Sequence, residues 1–217
     1  MQIHHLSEKN SVINHFLAEI RDVSIHNDSM RFRRNIERIG EIMAYELSKN
    51  LHYAEVGIKT PLGIKKTSKI KDQLVLCTIL RAGLTLHQGF LNYFDAAENG
   101  FISAYRHHPN NDDFFEIIVQ YQAVADITNK TVVIVDPMLA TGQSIVAVFK
   151  QLMERGAPAI IHIAVVIAAP EGIAHLEAEL PDNCHLWIAS IDDHLNEHSY
   201  IVPGLGDAGD LAYGIKL

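Results

Sequence analysis

Two stretches of this chain place polar residues and glycines directly after an apolar run, the position where ligands bind in open α/β sheets. The longer is TVVIVDPMLATGQS, residues 131–144. Its apolar run ends at Asp136, a short loop carries Thr141, Gly142 and Ser144, and a helical pattern follows. A loop that feeds a helix N-terminus presents unpaired backbone N–H groups and the positive end of the helix dipole, so it can hold a phosphate. Gly142 lets the backbone come close, the Thr141 and Ser144 hydroxyls can donate, and Asp136 can accept from sugar hydroxyls or stand behind a bound Mg²⁺. No G-x-x-x-x-G-K-[ST] pattern is present, so this is not the Walker arrangement. An ordinary strand–turn–helix is the alternative reading. The second stretch is ILRAG, residues 79–83. A guanidinium at a strand end suits a polyanion, because Arg pairs bidentately with phosphate oxygens. A surface Arg on a loop is the plainer alternative.

Three further segments carry polar chemistry. Arg106 precedes HHPNNDD, residues 107–113, a polar stretch without an apolar anchor. A flexible loop with an Arg can close over a charged substrate and exclude water; a hairpin loop is the alternative, with His107 and His108 solvated. YIVPGLGDAGD, residues 200–210, holds three glycines and a proline among apolar residues. Backbone N–H and C=O groups exposed in such a segment can read the edge of a flat heterocycle, and Asp207 and Asp210 can bind sugar hydroxyls or a metal. Asp192, Asp193, His194 and His198 cluster in DDHLNEH, but their spacing fits no zinc pattern and no Cys assists. That segment reads as a structural loop.

The elements that must position these groups follow from periodicity. Apolar runs at 74–79, Thr131–Val135, Ile160–Ala168 and 186–191 read as buried strands. Residues 101–105 form another strand, and 114–121 alternate apolar with polar residues as a half-buried one. Helical patterns cover 84–94, 144–155 and 171–180, the second ended by Gly156 and Pro158 and the third entered through Pro170. The first 55 residues read as helical. Ile36, Ile39, Met43 and Leu47 mark one face of a helix over 30–51, started by Asn27, Asp28 or Ser29. Its Arg31, Arg33, Arg34 and Arg38 lie near Glu37, Glu41 and Glu46 and read as a solvated face rather than a nucleic-acid stripe. A strand at 55–60, ended by Pro61, opens a lysine-rich stretch (Lys59, Lys65, Lys66, Lys69, Lys71) that reads as an exposed β-arm, with an anion site as the alternative. Apolar strands alternating with helices imply a mainly parallel sheet covered on both faces. The tail over 200–214 reads as irregular.

Composition narrows the class. The 217 residues include 18 Lys and Arg against 26 Asp and Glu, a net charge of −8 with His neutral. Apolar residues make up 48% and charged residues 20%, which excludes extended disorder. The acidic balance argues against bulk electrostatic binding to nucleic acid or to an anionic membrane. No apolar run approaches the roughly 20 residues that span a bilayer, and the segment MQIHHLSEKN lacks the layout of a signal peptide. Cys77 and Cys184 form no C-x-x-C pair, and a cytoplasmic location is expected.

At residues 136–144, 80–83 and 200–210 the chain resembles the uracil phosphoribosyltransferases. DPMLATGQS is similar to the family's phosphoribosyl-pyrophosphate signature, including the proline at 137 where other phosphoribosyltransferases carry a second acid. LRAG resembles its pyrophosphate loop and YIVPGLGDAGD its uracil-recognition segment. The helical region and the strand leading into TPLG extend the likeness over nearly the whole chain. Gln143 stands where the family usually has Gly, HHPNNDD replaces an acidic, Thr-containing loop, and Leu211 stands where a basic residue is common.

The resemblance implies an α/β fold of type I phosphoribosyltransferase form, a mainly parallel central sheet flanked by helices. It implies one domain over 1–217, with N-terminal helices over 1–54, a β-arm over about 55–73 and an irregular C-terminal base-recognition hood over about 190–217. The implied reaction transfers phosphoribosyl from 5-phosphoribosyl 1-pyrophosphate to N1 of uracil, giving UMP and pyrophosphate in pyrimidine salvage. Ala140, Thr141, Gly142, Gln143 and Ser144 would hold the 5′-phosphate, within a substrate segment that also takes in Pro137, Met138 and Leu139. Asp136 would contact the ribose hydroxyls, and Arg81 and Arg106 the pyrophosphate. Met138 and Ala140 would pack on the base, which the backbone of Tyr200, Ile201, Gly206 and Ala208 would read. Asp207 would contact the sugar or Mg²⁺–pyrophosphate, with Mg²⁺ carried mainly by the substrate. The arm implies a homodimer or higher homo-oligomer, and no nucleic-acid or membrane partner is expected. Rival readings are another nucleobase, or a non-catalytic nucleotide sensor or RNA-binding regulator on the same fold.

Overall fold

Side chains that are apolar on both faces of a strand can only be satisfied in the middle of a covered sheet, and the four most apolar runs occupy that middle. The computed structural model describes residues 1–107 and 116–216. The chain opens with β1 (Gln2–His5), a 3-10 turn (Leu6–Glu8), α1 (Ile13–Arg21) and α2 (Ser29–Ser48). A hairpin of β2 (Tyr53–Thr60) and β3 (Gly63–Ile70) follows, then β4 (Leu74–Leu80), α3 (Gly83–Leu91), β5 (Glu98–His107) and β6 (Glu116–Ala123). The second half runs β7 (Thr131–Val135), β8 (Met138–Leu139), α4 (Gln143–Met153), β9 (Ile160–Ala168), α5 (Pro170–Glu179) and β10 (Cys184–Ile191). It closes with β11 (His194–Leu195), β12 (Ile201–Val202) and α6 (Ala208–Tyr213).

The main sheet has the order β1-β10-β9-β7-β4-β5-β6, with β8 beside β9. All its pairings are parallel except β5 with β6. From β4 the chain steps outward to β5; from β7, on the other side of β4, it steps the opposite way to β9 and β10. The reversal between β4 and β7 is a topological switch point, where the strand-end loops part and leave a crevice.

Two apolar layers cover the sheet. One face packs Leu76, Val133, Val135 and Val166 against Phe32, Ile36, Ile39, Met43 and Leu86 of α2 and α3. The other packs Val132, Ile134, Ile163 and Val165 against Ile145, Val148, Leu152 and Leu176 of α4 and α5. Asp28 caps α2, its carboxylate accepting from the Met30 and Arg31 N–H groups at 3.1 Å. The arginines of α2 are tied to neighbours rather than ranged as a stripe: Arg31 to Glu19, Arg34 to Glu37 and Arg33 to the Ala212 carbonyl.

Two expectations are corrected. The helical reading of the first 54 residues fails at Gln2–His5, which forms a parallel edge strand on β10. Four residues reading QIHH carry no apolar run, and only the partner strand supplies their ladder. The tail over 200–214 is less irregular than its glycines imply. It contains β12, paired with β11, and a helix whose N-cap, Asp207, accepts from the Asp210 N–H at 2.9 Å.

Candidate active site

The strand ends at the switch point deliver Arg81 and Asp136 to a shared cavity of about 520 Å³. Asp136 follows β7, and its N–H donates to the Ala164 carbonyl at 3.1 Å. The Pro137 carbonyl accepts from the Val166 and Ile167 N–H groups, both at 3.0 Å, so the backbone stays pinned to β9 while the Asp136 side chain enters the cavity. Met138, Leu139, Ala140, Thr141, Gly142 and Ser144 line the next wall. Gly142 sits at φ +81, and an added Cβ would lie 3.1 Å from both the Gly172 carbonyl oxygen and His175 Cδ2. That conformation turns the loop into α4 with no side chain capping the helix. The first N–H groups of α4 are therefore open to an anion.

Arg81 lies just past β4, across a cis peptide from Leu80. Its Nη2 donates to Asp210 Oδ1 at 3.2 Å and to the Gly214 carbonyl at 3.1 Å. Its Nε is buried and has no hydrogen-bond partner among the described residues, so the guanidinium keeps a donor in reserve. Arg106 stands at the carboxyl end of β5, its backbone in register with Ile117. Residues 108–115, most of the expected HHPNNDD lid, lie outside the described residues.

The opposite wall comes from the glycine-rich segment. Tyr200, Gly206, Asp207 and Ala208 line the cavity, with Ser199 and Gly209. The Asn196 side chain folds the approach, accepting from the His198 N–H at 3.0 Å and the Tyr200 N–H at 2.9 Å. Burial of the Asp136 carboxyl, reinforced by the like charge of Asp207, outweighs a hydrogen bond from the Met138 backbone and pushes its pKa up to about 7. The cavity is thus poised to take a positive or hydrogen-bond-donating partner at Asp136. Among the described residues no group of three His, Cys, Asp or Glu side chains is placed to hold a metal ion.

Most of the expected site residues converge here; of those whose side chains are described, three do not line the cavity. Pro137 is buried against β9, and Ile201 is packed into the helix-side core. Gln143 opens α4 with its side chain exposed, so that only its backbone belongs to the helix start. The structure adds Ala104, which strand pairing alone brings in, and Lys216, whose Nζ lies 3.9 Å from Asp207 Oδ2. Neither carries a recognisable sequence signal, since each depends on a contact far along the chain. Asp192 of the DDHLNEH cluster is buried in an ion pair with Arg21. Cys77 and Cys184 are buried thiols, pushed up by burial to about 12 and about 11.

Comparison with known proteins agrees with this geometry. A family model described as "Uracil phosphoribosyltransferase" matches residues 7–215. A protein of that name from Porphyromonas gingivalis is 52% identical over the full length of both chains. Another from Methanococcus maripaludis is 41% identical, over 91% of this chain and 84% of its own. Among solved structures, the AQ2163 protein from Aquifex aeolicus superposes with a TM-score of 0.88, at 28% identity and over 100% of both chains. Among the described residues no helix is long and apolar enough to cross a membrane.

Proposed function

This chain belongs to the uracil phosphoribosyltransferase family, and from that premise we propose that its cavity transfers the phosphoribosyl group of 5-phosphoribosyl 1-pyrophosphate to N1 of uracil, giving UMP and pyrophosphate. The observation that carries the assignment is convergence. One cavity at the switch point collects a helix N-terminus for a phosphate, a strand-end arginine for a pyrophosphate and an irregular backbone wall for a base.

The roles follow from charge development. Breaking the ribose C1–O bond leaves positive charge on the sugar and negative charge on the departing pyrophosphate. The α4 N–H groups with Thr141 and Ser144 hold the 5′-phosphate. Asp136, as the carboxylate, accepts from the ribose hydroxyls and lies where positive charge grows. Arg81 exchanges its Asp210 and Gly214 partners for the pyrophosphate, and Arg106 from β5 is the second cation on that group. Donors fixed toward developing charge in a water-poor site are an effective source of rate. Mg²⁺ bound through the pyrophosphate, with Asp207 beside it, would supply further charge neutralisation. The backbone of Gly206 and Ala208 reads the base, with Met138 and Ala140 packed on it.

The exposed hairpin supports a homodimer or higher homo-oligomer. Every residue of β3 is exposed, and Leu62 and Ile64 at its tip are 100% and 77% exposed. The deciding assay measures UMP formation from uracil and 5-phosphoribosyl 1-pyrophosphate, with and without Mg²⁺, beside cytosine, adenine, hypoxanthine and orotate. Mg²⁺-dependent product with uracil alone is expected. Product with another base instead, or none with any, would overturn the assignment.

A further inference from the structure

The segment that reads the base is held from outside by an ion pair the reaction itself does not use. Arg21, the last residue of α1, reaches the end of β10 and the glycine-rich segment together. Its Nη1 donates to Asp192 Oδ2 at 2.8 Å and to the Gly204 carbonyl at 2.8 Å. Its Nη2 donates to Asp192 Oδ1 at 2.5 Å and to Ser190 Oγ at 3.2 Å. Asp192 Oδ2 also accepts from the Gly204 N–H at 2.8 Å. The Asp192 side chain is 2% exposed and that of Arg21 is 22% exposed. Both backbone polar groups of Gly204 are therefore satisfied by one ion pair.

Gly204 is the pivot of the segment. It sits at φ +64, and an added Cβ would lie 2.2 Å from the Ile201 carbonyl oxygen, so no other residue fits the turn. Ile201 on one side and Leu205 on the other are buried in the core. Gly206 and Ala208, the groups that face the cavity, follow within four residues. A glycine-rich backbone has little stiffness of its own, and its N–H and C=O groups read a base only if their positions are fixed beforehand. Resting on the uracil reading, we propose that Arg21 and Asp192 are positioning residues for base selection: their fork clamps Gly204 and so sets the backbone that discriminates uracil from other bases. A Lys cannot replace Arg21, because an ammonium is a point donor without the planar two-nitrogen fork.

The test compares wild-type protein with Arg21→Lys and Asp192→Asn. Both KM values, the ratio of kcat/KM for uracil over cytosine, and the thermal midpoint are measured for each. Arg21→Lys is expected to raise the KM for uracil about tenfold and lower the uracil preference, with the KM for 5-phosphoribosyl 1-pyrophosphate within about twofold of wild type. Asp192→Asn keeps an acceptor for the Gly204 N–H and is expected to shift the same two quantities less. The double variant should be no worse than Arg21→Lys, since both act on one step. A folded Arg21→Lys with unchanged uracil KM and preference would overturn the proposal. So would a drop in thermal midpoint with both KM values moving together, which marks a structural role alone. If Arg21→Lys does not fold, Asp192→Asn decides by the same readouts. A wild-type protein inactive on uracil would instead remove the reading beneath the proposal, and shows itself before any variant is made.

Discussion

At Asp136 the carboxyl that we propose accepts hydrogen bonds from a sugar is surrounded by protein and faces a second acid. Burial and Asp207 push its pKa up to about 7, whereas an unfolded Asp titrates near 3.9. Between those values the folded state binds more protons than the unfolded state, so this group makes stability fall as pH rises from about 4 to about 7. Above pH 7 the folded protein carries the full cost of an ionised, poorly solvated carboxylate. Asp136→Asn is expected to raise the denaturation midpoint at pH 8 and to change it little at pH 4. The same variant should lose activity, because a neutral amide does not face the cationic sugar as a carboxylate does. For wild type, kcat/KM for 5-phosphoribosyl 1-pyrophosphate should rise through about pH 7 as the carboxylate forms. Urea titrations at the two pH values and a pH–rate profile check both halves. The type of residue 136 and its place after an apolar run were legible in the sequence; its raised pKa was not, since the burial that raises it is made by the fold and Asp207 lies 71 positions on.

The edge strand β1 shows how an element's neighbours set its response to acid. His4 stacks on Trp187 with ring centroids 3.8 Å apart, and its Nε2 lies 3.2 Å from His185 Nδ1. Trp187 Nε1 donates to His162 Nδ1 at 3.1 Å, which makes that nitrogen an acceptor in the folded state. Burial first, then the neighbouring His185 and His4, lower the pKa of His162 to about 3. His4 is lowered by burial and by His185, and His185 by burial and by the nearby N-terminal amine. A depressed histidine pKa means that the unfolded chain takes up protons first, so stability is lost as pH falls below about 6.5. His162 alone should cost about 1.4 kcal/mol between pH 7.5 and 5.5, one pKa unit of protonation below the unfolded value. Urea unfolding followed by fluorescence of Trp187, the single tryptophan, reads this directly. His162→Gln is expected to flatten the dependence by about that amount; an unchanged slope would mean the three rings do not govern it. None of this coupling is visible in the sequence, where His4 and Trp187 stand far apart.

At the scale of the whole molecule, the hairpin β2–β3 leaves the body of the domain and carries apolar side chains into solvent at its tip. The homo-oligomer proposed above would cover Leu62 and Ile64 with a second copy of the chain. Replacing both with Glu is expected to lower the sedimentation coefficient to that of a monomer while leaving the far-ultraviolet circular dichroism unchanged. An unchanged oligomer would mean the arm is not the interface. What the sequence determined by itself was local: buried strands at Thr131–Val135 and Ile160–Ala168, the α2 cap at Asp28, the strand–loop–helix turn into α4 and the glycine-rich segment are each written in contiguous residues. Apolar periodicity and capping act over one or two turns, so they can be read without knowing the fold. What only the tertiary structure decided was pairing. The reversal of strand order between β4 and β7 brought Arg81 and Asp136 to one cavity. Parallel pairing on β10 made QIHH a strand. A guanidinium at the end of α1 locked a turn 183 residues later. Such contacts arise from how separate elements bury their faces against one another, and no window of local sequence contains both partners.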